Sequence, residues 1–475
     1  MHAQKLKAGL FCIGLDTYWP QFEGLLTRLL GYNERISQKL KTYDLQVTTY
    51  GMVDTPQKAG EAAEKFNREN ADVLFLFIST YALSHNVLPL LQACPKPLIV
   101  LNLQPVAAID YEKLNSLVDR GKMTGEWLAH CQACVTPELA AVFNRAGIDY
   151  HLVTGFLDEK KTWDEIGDWI SALHVKKAMA ANRLGIIGHY YNGMLDVYTD
   201  LTQQAVSFGT HIELIEFGVI RKYLEQTNSS EISRKLEQFQ DSFEVSAECS
   251  TRELERAART AVALDKMIDT YELGSLAYYY EGTGDAVYED IITSVIPGFT
   301  LLTSHHVPVA GECEVKNAQA MKIMDLFDAG GSFSEFYAVD FNDDIILLGH
   351  DGPAHAAIAD GRVGLVPVPV YHGKPGKGLS IQMKVKNGPV TLLSVLQTKN
   401  GEVRLLSAEG ESVPGPTLQI GNTNSRYRFS LTVRDFINKW SQEGPSHHCA
   451  VGIGHVGDKI EKLAKLLKIK YIKIC

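Results

Sequence analysis

Between residues 305 and 355 the chain concentrates side chains that can do chemistry. Glu312 stands in PVAGECEVK, Glu335 in GGSFSEFYAVDF, and His350 with Asp351 in LLGHDGPAH; far downstream, His447 and His448 stand in GPSHHCAVG. Two carboxylates and one or two imidazoles make an oxygen and nitrogen donor set suited to a divalent ion such as Mn2+. Carboxylates favour the harder cations, and imidazole accepts the borderline ones. The steps from 312 to 335 to 350 are too wide for one helix face, so the fold must assemble any such site. The competing reading is of solvated glutamates and hydrogen-bonded turn histidines.

The elements available to do this assembling change in kind along the chain. Over the first 180 residues short apolar runs alternate with helical patterns. Lys7–Ile13 reads as a buried strand and Pro20–Lys41 as a helix; Leu45–Tyr50 is the next strand and KAGEAAEKFNREN the next helix; ADVLFLFIS and PLIVLNL follow. Cys134–Val135 and His151–Val153 are expected to extend the same sheet, with ELAAVFNRAG as the helix between them. That order predicts a parallel sheet with crossover helices. DEKKTWDEIGDWISALHVKKAMAAN is a helical bridge, and from Arg183 LGIIGHYYNGMLDVYTD repeats the opening pattern. IELIEFGVI and LGSLAYYYEG read as further strands, with amphipathic helices at Ser230–Gln240 and Thr251–Met267. After about residue 295 close-set alternating strands take over, with Asn-Gly pairs at 387–388 and 400–401 as hairpin turns, then a helix at Asp458–Ile469 and a last strand YIKIC. The predicted fold is α/β: two tandem doubly wound parallel-sheet domains, 1–180 and 181–305, followed by an antiparallel β-rich C-terminal domain, 306–475, that carries most of the metal site.

Composition narrows the partners. The 475 residues are 45% hydrophobic and 21% charged, as in a folding globular chain, and the formal charge of −10 lacks the basic excess that nucleic acid or an anionic membrane surface demands. The longest strongly apolar run, Val73–Ile78, is far below the roughly 20 residues that span a bilayer, and the apolar stretch before Asp16 is too short for a signal segment. The eight cysteines are scattered and read as reduced core thiols of a cytoplasmic protein without a disulfide framework. Cys131-x-x-Cys134 has no second pair at zinc spacing and reads as two such thiols. GIGHVG at 452–457 imitates a dinucleotide fingerprint, but too little chain follows for a βαβ unit, so it is a glycine-rich helix start. HGKPGKGLS at 372–380 lacks phosphate-loop spacing and reads as a loop between strands; His305-His306 reads as a strand end. Glu281 in YYYEGTGD, with Asp285 beside it, is either a turn residue or the lining of a sugar cleft.

Taken in order, AGECEVKNAQAMKIMDLF, GGSFSEFYAVDF, LLGHDG and the His-His pair with a helix and strand after it resemble the motif set of the L-arabinose isomerase family, among the L-arabinose/L-fucose isomerase-like sugar isomerases. GLFCIGLDTYWPQF resembles that family's first strand and loop, and VPVYHGKPGKGLSIQMKV the Gly/Lys segment of its C-terminal β domain. The resemblance implies a metal-dependent aldose–ketose isomerase acting on a pentose or related sugar through an ene-diol. Glu312 and Glu335 would be both metal ligands and the catalytic acid/base pair, with His350 and one of His447 and His448, taken as His448, completing a Mn2+ site. It further implies a cytoplasmic homo-oligomer of hexamer type. Where the family usually carries a Gln-His pair, this chain has Leu15, Asp16, Thr17, Tyr18 and Trp19. Asp16, Tyr18 and His447 are therefore expected to contact the sugar, and a sugar other than L-arabinose is expected; the plainer alternative makes Tyr18 and Trp19 packing residues at a helix start. The rival class is a non-catalytic cytoplasmic sugar-binding or sensing protein, since tandem doubly wound units also hold ligands without chemistry.

Overall fold

Apolar runs too short for helices become the strands of the first sheet. The computed structural model describes residues 5–281, 284–368 and 377–475. In its first compact unit, Met1–His174, β1 (Leu6–Ile13), β2 (Leu45–Val53), β3 (Val73–Ile78), β4 (Leu98–Gln104) and β5 (Tyr150–Phe156) form one parallel sheet in the order β2-β1-β3-β4-β5. VLFLFI in β3 is buried at every residue, as a central strand covered on both faces requires. The helix Pro56–Arg68 lays Ala59, Ala62, Ala63 and Phe66 on this core. It starts with Pro56 at its first position and with the Thr55 hydroxyl accepting from the Lys58 N–H.

Three local expectations need correction here. Cys134–Val135 is not a strand; it is the turn before the helix Thr136–Ala146. Cys131 and Cys134 are not both reduced thiols but a disulfide, because this turn brings their Cα atoms to 5.8 Å, within bridging range. The other six cysteines are free. The first long helix begins at Leu25 rather than Pro20, since Asp16–Tyr18 turns as a short 3-10 segment and Gly24 enters the helix with φ of 80°.

The helix Lys160–Ala181 runs across the boundary into the second compact unit, Val175–Cys475. There β6 (Arg183–Gly188), β7 (His211–Ile215), β8 (Phe243–Val245), β9 (Ser275–Tyr279) and β10 (Val309–Ala310) follow, and all but β8 form a second parallel sheet in the order β10-β9-β6-β7. The helix Thr251–Tyr271 buries Ala257, Ala261, Leu264 and Ile268, a stripe at helical spacing. His305-His306 follows a helix, Ile296–Ser304, rather than a strand; that helix is buried on nearly every side and so shows no amphipathic period. Among the described residues no helix is long and apolar enough to cross a membrane.

The remaining strands are β11 (Gly330–Asp340), β12 (Ile345–His350), β13 (Val363–Val368), β14 (Gly378–Gln382), β15 (Gly388–Gln397), β16 (Val403–Val413), β17 (Thr423–Phe429), β18 (His448–Ile453) and β19 (Lys470–Lys473). Seven of them lie in the order β15-β18-β11-β12-β17-β16-β19, and β15 pairs with β16 as well, which closes six antiparallel strands into a barrel. β19 joins the barrel's side parallel to β16, and β14, β13 and β8 form a small separate sheet. Asn400-Gly401 turns the β15–β16 hairpin as expected, with Gly401 at φ 85°. Asn387-Gly388 makes no hairpin, because β14 pairs with β13 and not with β15. Most of the 372–380 segment lies outside the described residues; its last three residues belong to β14. GIGHVG leads from β18 into the helix Gly457–Leu467.

One glycine holds two barrel strands at contact distance. A Cβ on Gly349 in β12 would stand 2.1 Å from the Thr423 carbonyl oxygen on β17 and 2.8 Å from the Tyr337 ring on β11. Gly349→Ala is expected to destabilise the protein by about 1–3 kcal/mol through overpacking, read as a lower thermal midpoint. An unchanged midpoint would show that the strands separate without cost.

Candidate active site

The carboxylates and imidazoles singled out in the sequence meet at one end of the barrel. Glu312 leaves β10 on the turn before the helix Val315–Leu326, where Glu312 and Cys313 both sit in the left-handed region at φ 54° and 57°. Such conformations cost on the order of 1 kcal/mol each and persist where surrounding structure holds them. Glu335 on β11 lies directly opposite His448 on β18 and opposite Gly349 on β12, and His350 ends β12. Sheet register therefore does what sequence spacing could not. His448 Nε2 is 3.3 Å from Glu312 Oε2, His447 Nε2 is 3.7 Å from Glu312 Oε2 and 3.7 Å from Glu335 Oε2, and His350 Nε2 is 3.9 Å from Glu312 Oε1. Phe333, two residues before Glu335, supports the rings of His350 and His448 with centroids at 4.5 and 4.3 Å.

A second layer orients the histidines. Glu314 Oε2 accepts from His448 Nδ1 at 2.5 Å, and its other oxygen accepts from the Ser446 hydroxyl. Asp196 Oδ2 accepts from His447 twice, from Nδ1 at 2.6 Å and from the backbone N–H at 3.0 Å, while Lys316 Nζ donates to the Asp196 carbonyl. Neither Glu314 nor Asp196 is singled out by the sequence reading. The alternation Glu312-x-Glu314 was a usable signal for the first; nothing marks the second, which lies 251 residues from its partner.

The electrostatics follow from this burial. Glu314 is fully buried and burial pushes its carboxyl up to about 7, against the opposing pull of Lys316 and Ser446. Burial, then the neighbouring His447, holds His448 well below the usual imidazole value, so it is neutral at pH 7. For His447 burial works the other way from Asp196, whose hydrogen bond and charge raise it overall; the same contact, against burial, lowers Asp196. With Nδ1 committed to Glu314, His448 turns its Nε2 lone pair inward, and that buried atom has no hydrogen-bond partner among the described residues. A carboxylate-anchored imidazole is how proteins prepare a metal ligand. Donor atoms of Glu312, His447 and His448 all lie within 4.8 Å of one another. The donor set and this orphaned nitrogen fit a divalent ion.

Glu312, Glu335 and His350 face a cavity of 460 Å³ whose other wall includes Tyr191, Tyr279 and Glu281. Glu281 is thus one of the residues lining this cavity. Asp16 and Tyr18 belong to the first unit: Asp16 is exposed and accepts from the Thr17 N–H, Tyr18 meets Phe22 edge to face, and Trp19 Nε1 donates to Asp54.

Asp325 anchors the far end of the helix that follows Glu312. Its buried carboxylate meets His306 Nδ1 at 2.9 Å, Lys322 Nζ at 3.3 Å and His355 Nε2 at 3.6 Å. Burial alone would raise its pKa, but His355, Lys322 and His306 together bring it below the ordinary value. A carboxyl depressed by folding stabilises above its unfolded pKa, about 3.9, and loses that contribution as pH falls through the folded value. Asp325→Asn is expected to cost about 1–3 kcal/mol at pH 7, with the gap to wild type closing below pH 4 in urea titrations; a gap independent of pH would contradict the ion-pair account.

Residues 365–474 match the C-terminal domain of L-fucose isomerase. An L-arabinose isomerase of Nocardioides sp. is 24% identical over 392 residues, covering 78% of this chain and 74% of that protein. The L-arabinose isomerase of Saccharophagus degradans is 22% identical over 446 residues, covering 90% and 85%, and L-arabinose isomerase 2 of Bacillus licheniformis 19% identical over 346 residues, covering 68% and 69%. With the fold and the clustered site, these matches define an enzyme of the sugar isomerase class. Within it, the chain is similar to the L-arabinose isomerases over most of its length.

Proposed function

We propose that the protein interconverts an aldose, a pentose or related sugar, and its ketose through an ene-diol, with a divalent ion, Mn2+ by preference, held by Glu312, Glu335, His350 and His448. The observation that carries this is the buried His448 Nε2, without a hydrogen-bond partner, aimed at Glu312 from an imidazole anchored by Glu314. His448 is the ligand of the pair because it is buried, whereas the His447 side chain is 37% exposed and takes the sugar side. When bound, the ion supplies positive charge for two adjacent sugar oxygens as the ene-diol forms.

The protein's own residues carry the protons. Glu312 and Glu335 both face the cavity, so one can take the proton from C2 and return it to C1 while the other moves the hydroxyl proton. His447, steadied by Asp196, is placed to donate to a sugar oxygen. Asp16 and Tyr18 are further sugar contacts in this reading, the sugar is other than L-arabinose, and the protein acts as a cytoplasmic homo-oligomer, a hexamer, of chains divided at about 180 and 305. The test is a screen of pentoses, hexoses and 6-deoxyhexoses with purified protein and Mn2+ in D2O. The expected result is ketose carrying solvent deuterium at C1 and metal bound to the protein. Ketose without deuterium would overturn the ene-diol, and no ketose from any sugar would favour the binding-protein class.

A further inference from the structure

Cys131 and Cys134 bridge the turn that leads into the helix Thr136–Ala146 of the first unit. Their two sulfurs are not equivalent. Cys131 is buried, at 4% exposure, whereas Cys134 is exposed, so a reagent arriving from solvent meets Cys134 first. The bridge joins residues at a sequence separation of 3. So short a ring removes little freedom from the unfolded chain, which is where a disulfide's stabilisation mainly arises, and this one is a weak staple. Exposed bridges are also the ones that open and reform readily. A Cys-x-x-Cys pair set in a parallel α/β unit has the spacing of a dithiol that cycles between its two states.

The turn does not depend on the bridge for its shape. Gln132, buried within it, donates from Nε2 to the Ser79 and Ala129 carbonyls, both at 2.9 Å, and the Thr136 hydroxyl donates to the Gln132 carbonyl at 3.1 Å. On the side before the turn, the Leu128 carbonyl accepts from the Cys131 N–H at 3.3 Å and from the Thr80 hydroxyl at 2.7 Å. Opening the S–S bond breaks none of these. The Cys131 carbonyl oxygen lies 2.9 Å from Cys134 Sγ, so a proton gained by that sulfur on opening has an acceptor ready. The other cysteines stand apart from this pair. Burial pushes up the thiols of Cys12, Cys94, Cys249, Cys313, Cys449 and Cys475, and a thiol held protonated is a weak nucleophile.

We propose that Cys131 and Cys134 form a thiol–disulfide exchange site at which the protein accepts two electrons from a dithiol. One thiolate of the dithiol attacks Cys134 Sγ; the S–S bond breaks, and its electron pair leaves on Cys131 Sγ, which takes a proton. The dithiol's second thiolate then attacks its own sulfur in the mixed disulfide, and Cys134 leaves as a thiolate and takes a proton. The protein's disulfide is reduced to two thiols, and the dithiol is oxidised to a cyclic disulfide. The experiment treats the full chain, purified without reductant, with dithiothreitol, alkylates it with iodoacetamide and maps the alkylated cysteines by peptide mass, with circular dichroism to follow the fold. The expected result is a gain of two alkylated thiols, both at 131 and 134, in a protein whose spectrum does not change, and their loss again after glutathione disulfide is added. No gain until urea unfolds the chain would make the bridge a structural staple and overturn the proposal. So would alkylation of both residues before any reductant, or a pair that stays reduced in glutathione disulfide. A second arm exposes Cys131→Ser and Cys134→Ser to glutathione disulfide. Cys131→Ser should gain one glutathione at Cys134, and Cys134→Ser none at Cys131. An adduct at Cys131, or none at Cys134, would overturn Cys134 as the attacked sulfur; the wild-type arm decides the exchange itself whether or not the variants fold.

Discussion

Glu335→Gln is expected to lower kcat by about 10²- to 10⁴-fold for every sugar the enzyme accepts, the range for losing a positioned acid/base group. Glutamine has the carboxylate's shape and cannot carry a proton between C1 and C2. The strand should survive the change, because Glu335 pairs with His448 and Gly349 through backbone groups and its side chain projects to the cavity. Stopped-assay ketose formation, with circular dichroism to confirm the fold, checks it. A rate within tenfold of wild type would remove Glu335 from the proton path.

Glu314→Ala should act on the metal rather than on the proton. Glu314 touches His448 and Ser446, both buried, and its carboxylate is what commits His448 Nδ1 and points Nε2 at Glu312. Removing such an anchor typically costs 10- to 100-fold in metal affinity, and it leaves Ser446 and His448 polar atoms buried without their partner. The expected result is a Kd for Mn2+ raised by about 10- to 100-fold, with a smaller metal-induced rise in thermal midpoint than wild type shows. Equal Mn2+ affinity in the two proteins would show that Glu314 is only a buried structural carboxyl.

Much of this enzyme is legible without coordinates, for identifiable reasons. A strand covered on both faces must be apolar throughout, so VLFLFI and PLIVLNL announce β3 and β4. A helix with one wet face must be periodic, so Thr251–Tyr271 declares itself. Residue types able to do chemistry, Glu312, Glu335, His350 and His447-His448, stand out in the sequence by type and order even when their spacing does not place them together. What periodicity reports is a single buried face, and it is silent where there is none. The helix Val315–Leu326 is buried nearly all round, with Lys316, Asn317, Gln319, Lys322 and Asp325 inside, so no pattern betrays it.

The sequence by itself thus determined the layering of elements, the change from parallel to antiparallel sheet and the candidate reactive groups, because local periodicity and residue chemistry are properties of short stretches. The tertiary structure alone decided which groups meet and which way they face. The Glu335–His448 register, the Asp196–His447 contact, the Cys131–Cys134 bridge and the Asn422–Tyr337 hydrogen bond all depend on strand pairing, turn geometry and hydrogen-bond direction. Each is a relation between residues whose separation along the chain does not set their distance in space, and only the folded backbone supplies it.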